Sequence, residues 1–174
     1  MAGFLSCLLK SPKRDTSRRG IVALEFALIA GPLFLMLLGL VELCLMEGAQ
    51  QLLESAAYNT SRLAKTGYVA PGQTQAQTVN QILVTELSSY GSLINTTKVT
   101  MAEADYSSFS TVSGGGGTSG LGSAGAIVAY TVTYPWQVFT PMMCAAFGSA
   151  CQSTPNGFIV NLTSTIVVKN EPYT

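Results

Sequence analysis

The stretch IVALEFALIAGPLFLMLLGLV, residues 21–41, decides how this chain is built. A membrane-crossing helix needs about 20 mostly apolar residues. At 1.5 Å per residue, Ile21 to Val41 spans roughly 31 Å, close to the thickness of a hydrocarbon core. A secretory signal is the competing reading, but its apolar core is about 7–15 residues long and ends in a small-x-small cleavage site. A retained helix is therefore expected, continuing through Glu42 to Met46. Upstream, Lys10, Lys13, Arg14, Arg18 and Arg19 stand against Asp15 alone, so residues 1–20 carry a net +4 and the remainder a net −4. Basic residues on one side of a span mark the cytoplasmic side. This predicts a basic cytoplasmic leader (1–20), a single transmembrane helix (21–46) and an exported domain (47–174).

The rest of the composition narrows the function. Of 174 residues, 48% are apolar and 10% charged, with a mean hydropathy of +0.36. Soluble domains average about 25% charged residues, and disorder needs low hydrophobicity. The formal net charge is zero and no basic run lies beside aromatics, which argues against nucleic acid as a partner. There is no histidine, which excludes Ser-His-Asp and Cys-His catalysis and His-containing zinc sites.

Glu25 is the anomaly in the span. Sixteen uncharged residues separate it from Glu42, about 24 Å of helix. Either one carboxylate is drawn into the hydrocarbon, at a cost on the order of 2–3 kcal/mol and with need of a partner, or Glu25 sits at the cytoplasmic interface near a helix N-terminus. Physics alone leaves both readings open.

Arg18-Arg19-Gly20, followed by Ile21-Val22-Ala23-Leu24-Glu25-Phe26 and an apolar helix, resembles a type IV prepilin cleavage site. The Glu25–Phe26 pair, the length and the C-terminal Val167-Val168-Lys169-Asn170-Glu171-Pro172-Tyr173 resemble more specifically the TadE-like pseudopilins of Flp (tight adherence) pilus assembly. The resemblance covers residues 18–66, fades in the middle and returns at 165–173. It implies cutting between Gly20 and Ile21 by a prepilin peptidase, possible methylation of the new amine, and recognition through Glu25 and Phe26. Two departures stand out. Ile21 replaces the Phe or Met common at that position, and Phe26 replaces the Tyr of major Flp pilins, which favours a pseudopilin over the major subunit.

Beyond the membrane, Leu45, Ala49, Leu52, Leu53, Ala56, Thr60, Leu63 and Ala64 recur at three- and four-residue intervals. They predict that the helix runs on to about 66, ending at Gly67 before Pro71-Gly72. Pro32 should kink or loosen it. A second helix fits Thr74–Tyr90, with Val79, Ile82, Leu83 and Leu87 on one face. The period then changes to two: Val99 and Met101, then Val128 to Val138, then Phe158 to Val168. This predicts an α+β domain with about three antiparallel strands packed on the helices. Glu103 and Asp105 share a face of the first strand, read as solvated. Gly114–Gly125 holds seven glycines but no phosphate-loop Lys-Ser/Thr, and reads as a flexible connection. The apolar stretch Trp136–Phe147 is either core or a subunit contact.

Cys144 and Cys151 lie seven apart in a loop between the last two strands. In an oxidising exported compartment they are expected to form a disulfide, two free thiols being the alternative. No acid pair, nucleophile or metal cluster emerges, so no enzyme activity, metal, cofactor or small-molecule substrate is expected. The expected partners are the lipid bilayer, a prepilin peptidase, and other pilins or pseudopilins with the tight-adherence machinery, at the bacterial inner membrane or in the pilus itself. The rivals are a minor pseudopilin of a secretion system and an unprocessed, single-pass periplasmic binding module.

Overall fold

A computed structural model describes residues 16–172. Helix α1 runs unbroken from Thr16 to Ala64, with Pro32 inside it. The chain divides into two compact units, one ending at Leu38 and the other beginning at Gly39. In the first, the side chains from Gly20 to Leu38 are exposed, with Ala30 the partial exception. By hydropathy and length, α1 is long and apolar enough to cross a membrane.

In the second unit, α1 lies against a five-stranded antiparallel sheet, not the three-stranded one expected. The strands are β1 (Thr100–Tyr106), β2 (Thr118–Ser119), β3 (Ile127–Val138), β4 (Cys151–Thr154) and β5 (Gly157–Lys169), in the order β2-β1-β3-β5-β4. The two unforeseen strands are the short edge strands, too brief to show a period. β3 and β5 form the centre, paired from Ile127 with Lys169 to Val138 with Phe158.

The alternation in β3 has its expected effect. Val128, Tyr130, Val132, Tyr134, Trp136 and Val138 are all buried. Val132, Tyr134, Trp136 and Val138 pack in one cluster with Met46, Ala49, Leu53, Ala56 and Ala57 of α1 and Leu83 and Leu87 of helix α2 (Gln75–Ser89). A second cluster joins Ala64 and Val79 to Val128 and Tyr130. β3 therefore runs back along α1: its start lies by Ala64 and its end by Met46. The buried stripe of α1 differs from the predicted one. Leu45 and Leu63 are 43% and 45% exposed, while Ala57 and Ser61 are buried.

Helix α2 begins with the capping box that Thr74 and Gln77 encode, each side chain bonded to the other's backbone N–H. Gly67, at φ 70°, accepts the left-handed turn that ends α1, and its N–H donates to the Ala64 carbonyl.

The glycine-rich connection is more built than a flexible linker. It follows a short helix α3 (Phe109–Val112) and contains β2. A Cβ at Gly117 would lie 2.7 Å from the Tyr106 ring, so the backbone there approaches more closely than any side chain permits.

Candidate functional site

Gly20, Ile21, Glu25 and Phe26 all lie on α1 and all are exposed, Ile21 at 55% and Phe26 at 71%. The Gly20–Ile21 bond falls within the second turn of the helix, close to the terminus where orphan N–H groups make fraying easy. Glu25 stands one turn further on, about 6 Å along the axis from Ile21. Around it the exposed side chains are Val22, Leu24, Leu28 and Ile29. A lone carboxylate on an apolar helical surface can do little chemistry in its own protomer. It can accept an ion pair from another chain. Lys13 and Arg14 lie outside the described residues, as do the side chains of Arg18 and Arg19.

A second carboxylate has a role that sequence reading missed. Glu42 is buried, 6% exposed. Its Oε1 accepts the Phe139 N–H at 2.5 Å, and its Oε2 accepts the Thr140 N–H at 3.1 Å and the Thr140 hydroxyl. One carboxylate of α1 thus satisfies the backbone where β3 turns into α4 (Pro141–Phe147). Pro141, as the first residue of α4, lacks the N–H that would otherwise need a partner. Thr140-Pro141 was the available signal for this helix start. Glu42's part in it carries no local signal, because its partners are 97 and 98 residues away.

The stretch Trp136–Phe147 is core and surface at once. Trp136, Val138 and Met143 are buried, whereas Phe139 and Met142 are 73% and 52% exposed. The Cys144 and Cys151 thiols are joined in a disulfide, Cα–Cα 5.3 Å, which ties α4 to β4. A loop this short is stabilised by roughly 2–2.5 kcal/mol in the chain-entropy model. Cys44 on α1 is an exposed free thiol.

The C-terminal residues lock the far end of the same unit. Asn170 is buried, and its Nδ2 donates to the carbonyls of Leu121 and Ser123 at 2.9 and 3.1 Å. Its N–H donates to the Ala126 carbonyl, and the Glu171 N–H to that of Lys65. The Glu171 carboxylate pairs with Lys65 at 3.3 Å. Asn170-Glu171 therefore fastens the glycine-rich connection and the end of α1 together. Tyr173 lies outside the described residues.

Glu103 corrects the sequence reading. β1 pairs Glu103 with Tyr130 and Met101 with Val132, so the odd positions point to the helix-bearing face of the sheet. Glu103 is half-buried in a groove with Gln77, Asn80 and Gln81 of α2. Desolvation by this burial raises its pKa, opposed by a bond to its own backbone N–H. Among the described residues, no three His, Cys, Asp or Glu side chains group as metal ligands. A shallow cavity of about 610 Å³ lies at the end of α1, between Arg62, Lys65, Glu86 and Glu171.

Residues 20–62 match the family model described as TadE-like protein. The match begins at Gly20, includes Ile21, Glu25 and Glu42, and stops two residues before α1 ends. Over this helix, about a quarter of its length, the chain is similar to TadE-like proteins. No curated protein and no solved structure matches it.

Proposed function

We propose that the chain is a TadE-like minor pilin or pseudopilin that helps assemble Flp-type pili at the bacterial inner membrane. In this reading a prepilin peptidase cuts between Gly20 and Ile21, the N-terminus is cytoplasmic, and the chain from about residue 47 onward is periplasmic. The single observation that carries it is the exposed Glu25, one helical turn from Ile21 on an otherwise apolar helix inside the TadE-like match.

The physical argument concerns two charges. Cleavage creates an α-amine at Ile21 with a reference pKa near 8, mostly protonated at neutral pH. In lipid, that amine and a carboxylate are each costly alone and attract strongly as a pair. Within one helix the two are a turn apart. Between neighbouring subunits, the Glu25 carboxylate meets the Ile21 amine of another copy or of a related pilin, which sets the stagger of packed helices. The disulfide in the later unit fits an oxidising exported compartment and supports the same topology.

The test is Glu25→Gln in the native host, which keeps size and removes charge. The variant is expected to be inserted and cut, with the mature mass starting at Ile21, but to lose pilus assembly. Intact residues 1–20 in the wild-type protein would replace this reading with an unprocessed anchored module. Normal assembly by Glu25→Gln would make the carboxylate merely interfacial.

A further inference from the structure

The corner where β3 gives way to α4 carries apolar side chains that nothing within the unit covers. Phe139 is 73% exposed and Met142 52%. Scattered exposed apolar residues are ordinary; the placement of these two is not. The N–H groups of Phe139 and Thr140 are bonded to Glu42. Met143 packs at Gly39, where an added Cβ would lie 3.2 Å from its Sδ. The corner is thus fastened to residues 39–42 of α1, where the apolar run ends at Val41. Chain connectivity alone puts it within about one helical turn of the last lipid-compatible side chains.

We propose that this corner is a second membrane contact. Phe139 and Met142 insert into the interfacial layer of the leaflet from which α1 emerges, and Lys98 meets the headgroups beside them. The proposal rests on the membrane-anchored reading of α1. Three observations favour lipid over a protein partner. The corner is held to Gly39 and Glu42, which bracket the end of the apolar run of α1. No Asp, Glu, Lys or Arg occurs anywhere from residue 106 to 168, so insertion desolvates no charge on this segment. Exposed Lys98 lines a cavity of about 160 Å³ with Trp136 and Phe139, a cation at the rim of an apolar tip. Such a side chain lays its stem on apolar surface and holds its ammonium at phosphate level. The Glu42 bonds and the disulfide brace the corner in advance, so little ordering opposes insertion. The consequence is a fixed seat for the domain on the bilayer.

The test places a single tryptophan at three positions in the full chain, in the Trp136→Phe background. The protein is reconstituted in phosphatidylcholine–phosphatidylglycerol vesicles whose acyl chains are brominated near the headgroup. Leu38→Trp reports the span, Phe139→Trp the corner, and Ser113→Trp the opposite end of the sheet. Interfacial side chains reach about 5–10 Å into the headgroup–acyl boundary, so emission from Leu38→Trp and Phe139→Trp is expected to fall at least about two-fold while Ser113→Trp is unchanged. Quenching at Leu38→Trp without Phe139→Trp overturns the proposal alone. Quenching at neither overturns the anchored reading beneath it, and quenching at Ser113→Trp overturns the specificity of the seat. A second measurement needs no change at Trp136: a benzophenone amino acid at position 139 is irradiated in otherwise unaltered protein. Lipid adducts support the contact, and chain-to-chain adducts overturn it in favour of a subunit interface.

Discussion

Residues 20–38 and 39–64 belong to one helix yet are made from different side chains. The first stretch is large and exposed: Leu24, Phe26, Leu28 and Met36 each leave more than 70% of their surface open. The second is small where it is buried: Ala49, Ala56, Ala57, Thr60, Ser61 and Ala64, with Met46 and Leu53 as the larger members. Small side chains let a helix approach a sheet closely, so that backbone and β-branched strand residues fill the gap. Large apolar side chains left open need a solvent other than water. The change of composition within α1 therefore marks a change of surroundings, from an open apolar surface of membrane-crossing length to a packed protein core.

That contrast predicts the largest mutational difference. Leu53 is fully buried among α1, α2 and β3, and Leu53→Ala is expected to destabilise the 39–174 unit by about 2–5 kcal/mol. Leu37, 51% exposed, loses the same atoms in Leu37→Ala, yet the unit's stability should move by no more than about 0.5 kcal/mol. Urea unfolding in detergent micelles, followed by the emission of Trp136, measures both. Equal losses would show that the two stretches share one core.

The boundary between them is guarded by a pair of carboxylates with opposite fates, Glu42 buried and Glu47 exposed. Glu42→Gln keeps one acceptor but turns an amide N–H₂ toward N–H donors. Hydrogen bonds to charged groups are worth about 1.5–3 kcal/mol, so a loss of about 1–3 kcal/mol is expected. Glu47→Gln should cost less than about 0.5 kcal/mol. The local readout is amide exchange: protection of Phe139 and Thr140 should fall in Glu42→Gln alone. Unchanged protection would mean that the corner holds itself without α1.

What could be read in advance follows sequence distance. α1, α2 and its capping box, and the central strands β3 and β5 announce themselves through local period and cap residues. The Gly20–Ile21–Glu25 pattern is equally local, a motif of six consecutive residues. The edge strands β2 and β4 are two and four residues long, too short for alternation to register. The Glu42 clamp and the Asn170 lock join residues 40 to 100 apart, and neither side chain says by its type which backbone it will meet. Trp136–Phe147 was ambiguous for a physical reason: its alternate residues serve core and surface, so its average hydropathy describes neither.

The smallest expected effect sharpens the contrast from the water-facing side. Glu103 is only half-buried, so its environment is intermediate between the dry core and the open surface. Desolvation places its pKa in the folded state above the ordinary 4.5 that applies when the chain is unfolded. Between those two values the folded state binds the proton more readily. Stability must then fall as pH rises from about 4.5 through the raised value, and stay lower above it. Glu103→Gln removes this titration. The variant is expected to be slightly more stable than wild type at neutral pH, with the gap closing as both are acidified below pH 4.5. Urea midpoints across that range measure it, with Glu47→Gln as the exposed control. A gap that widens on acidification would mean that Glu103 is held ionised by a favourable contact, and that the groove between α2 and β1 solvates charge as well as water does.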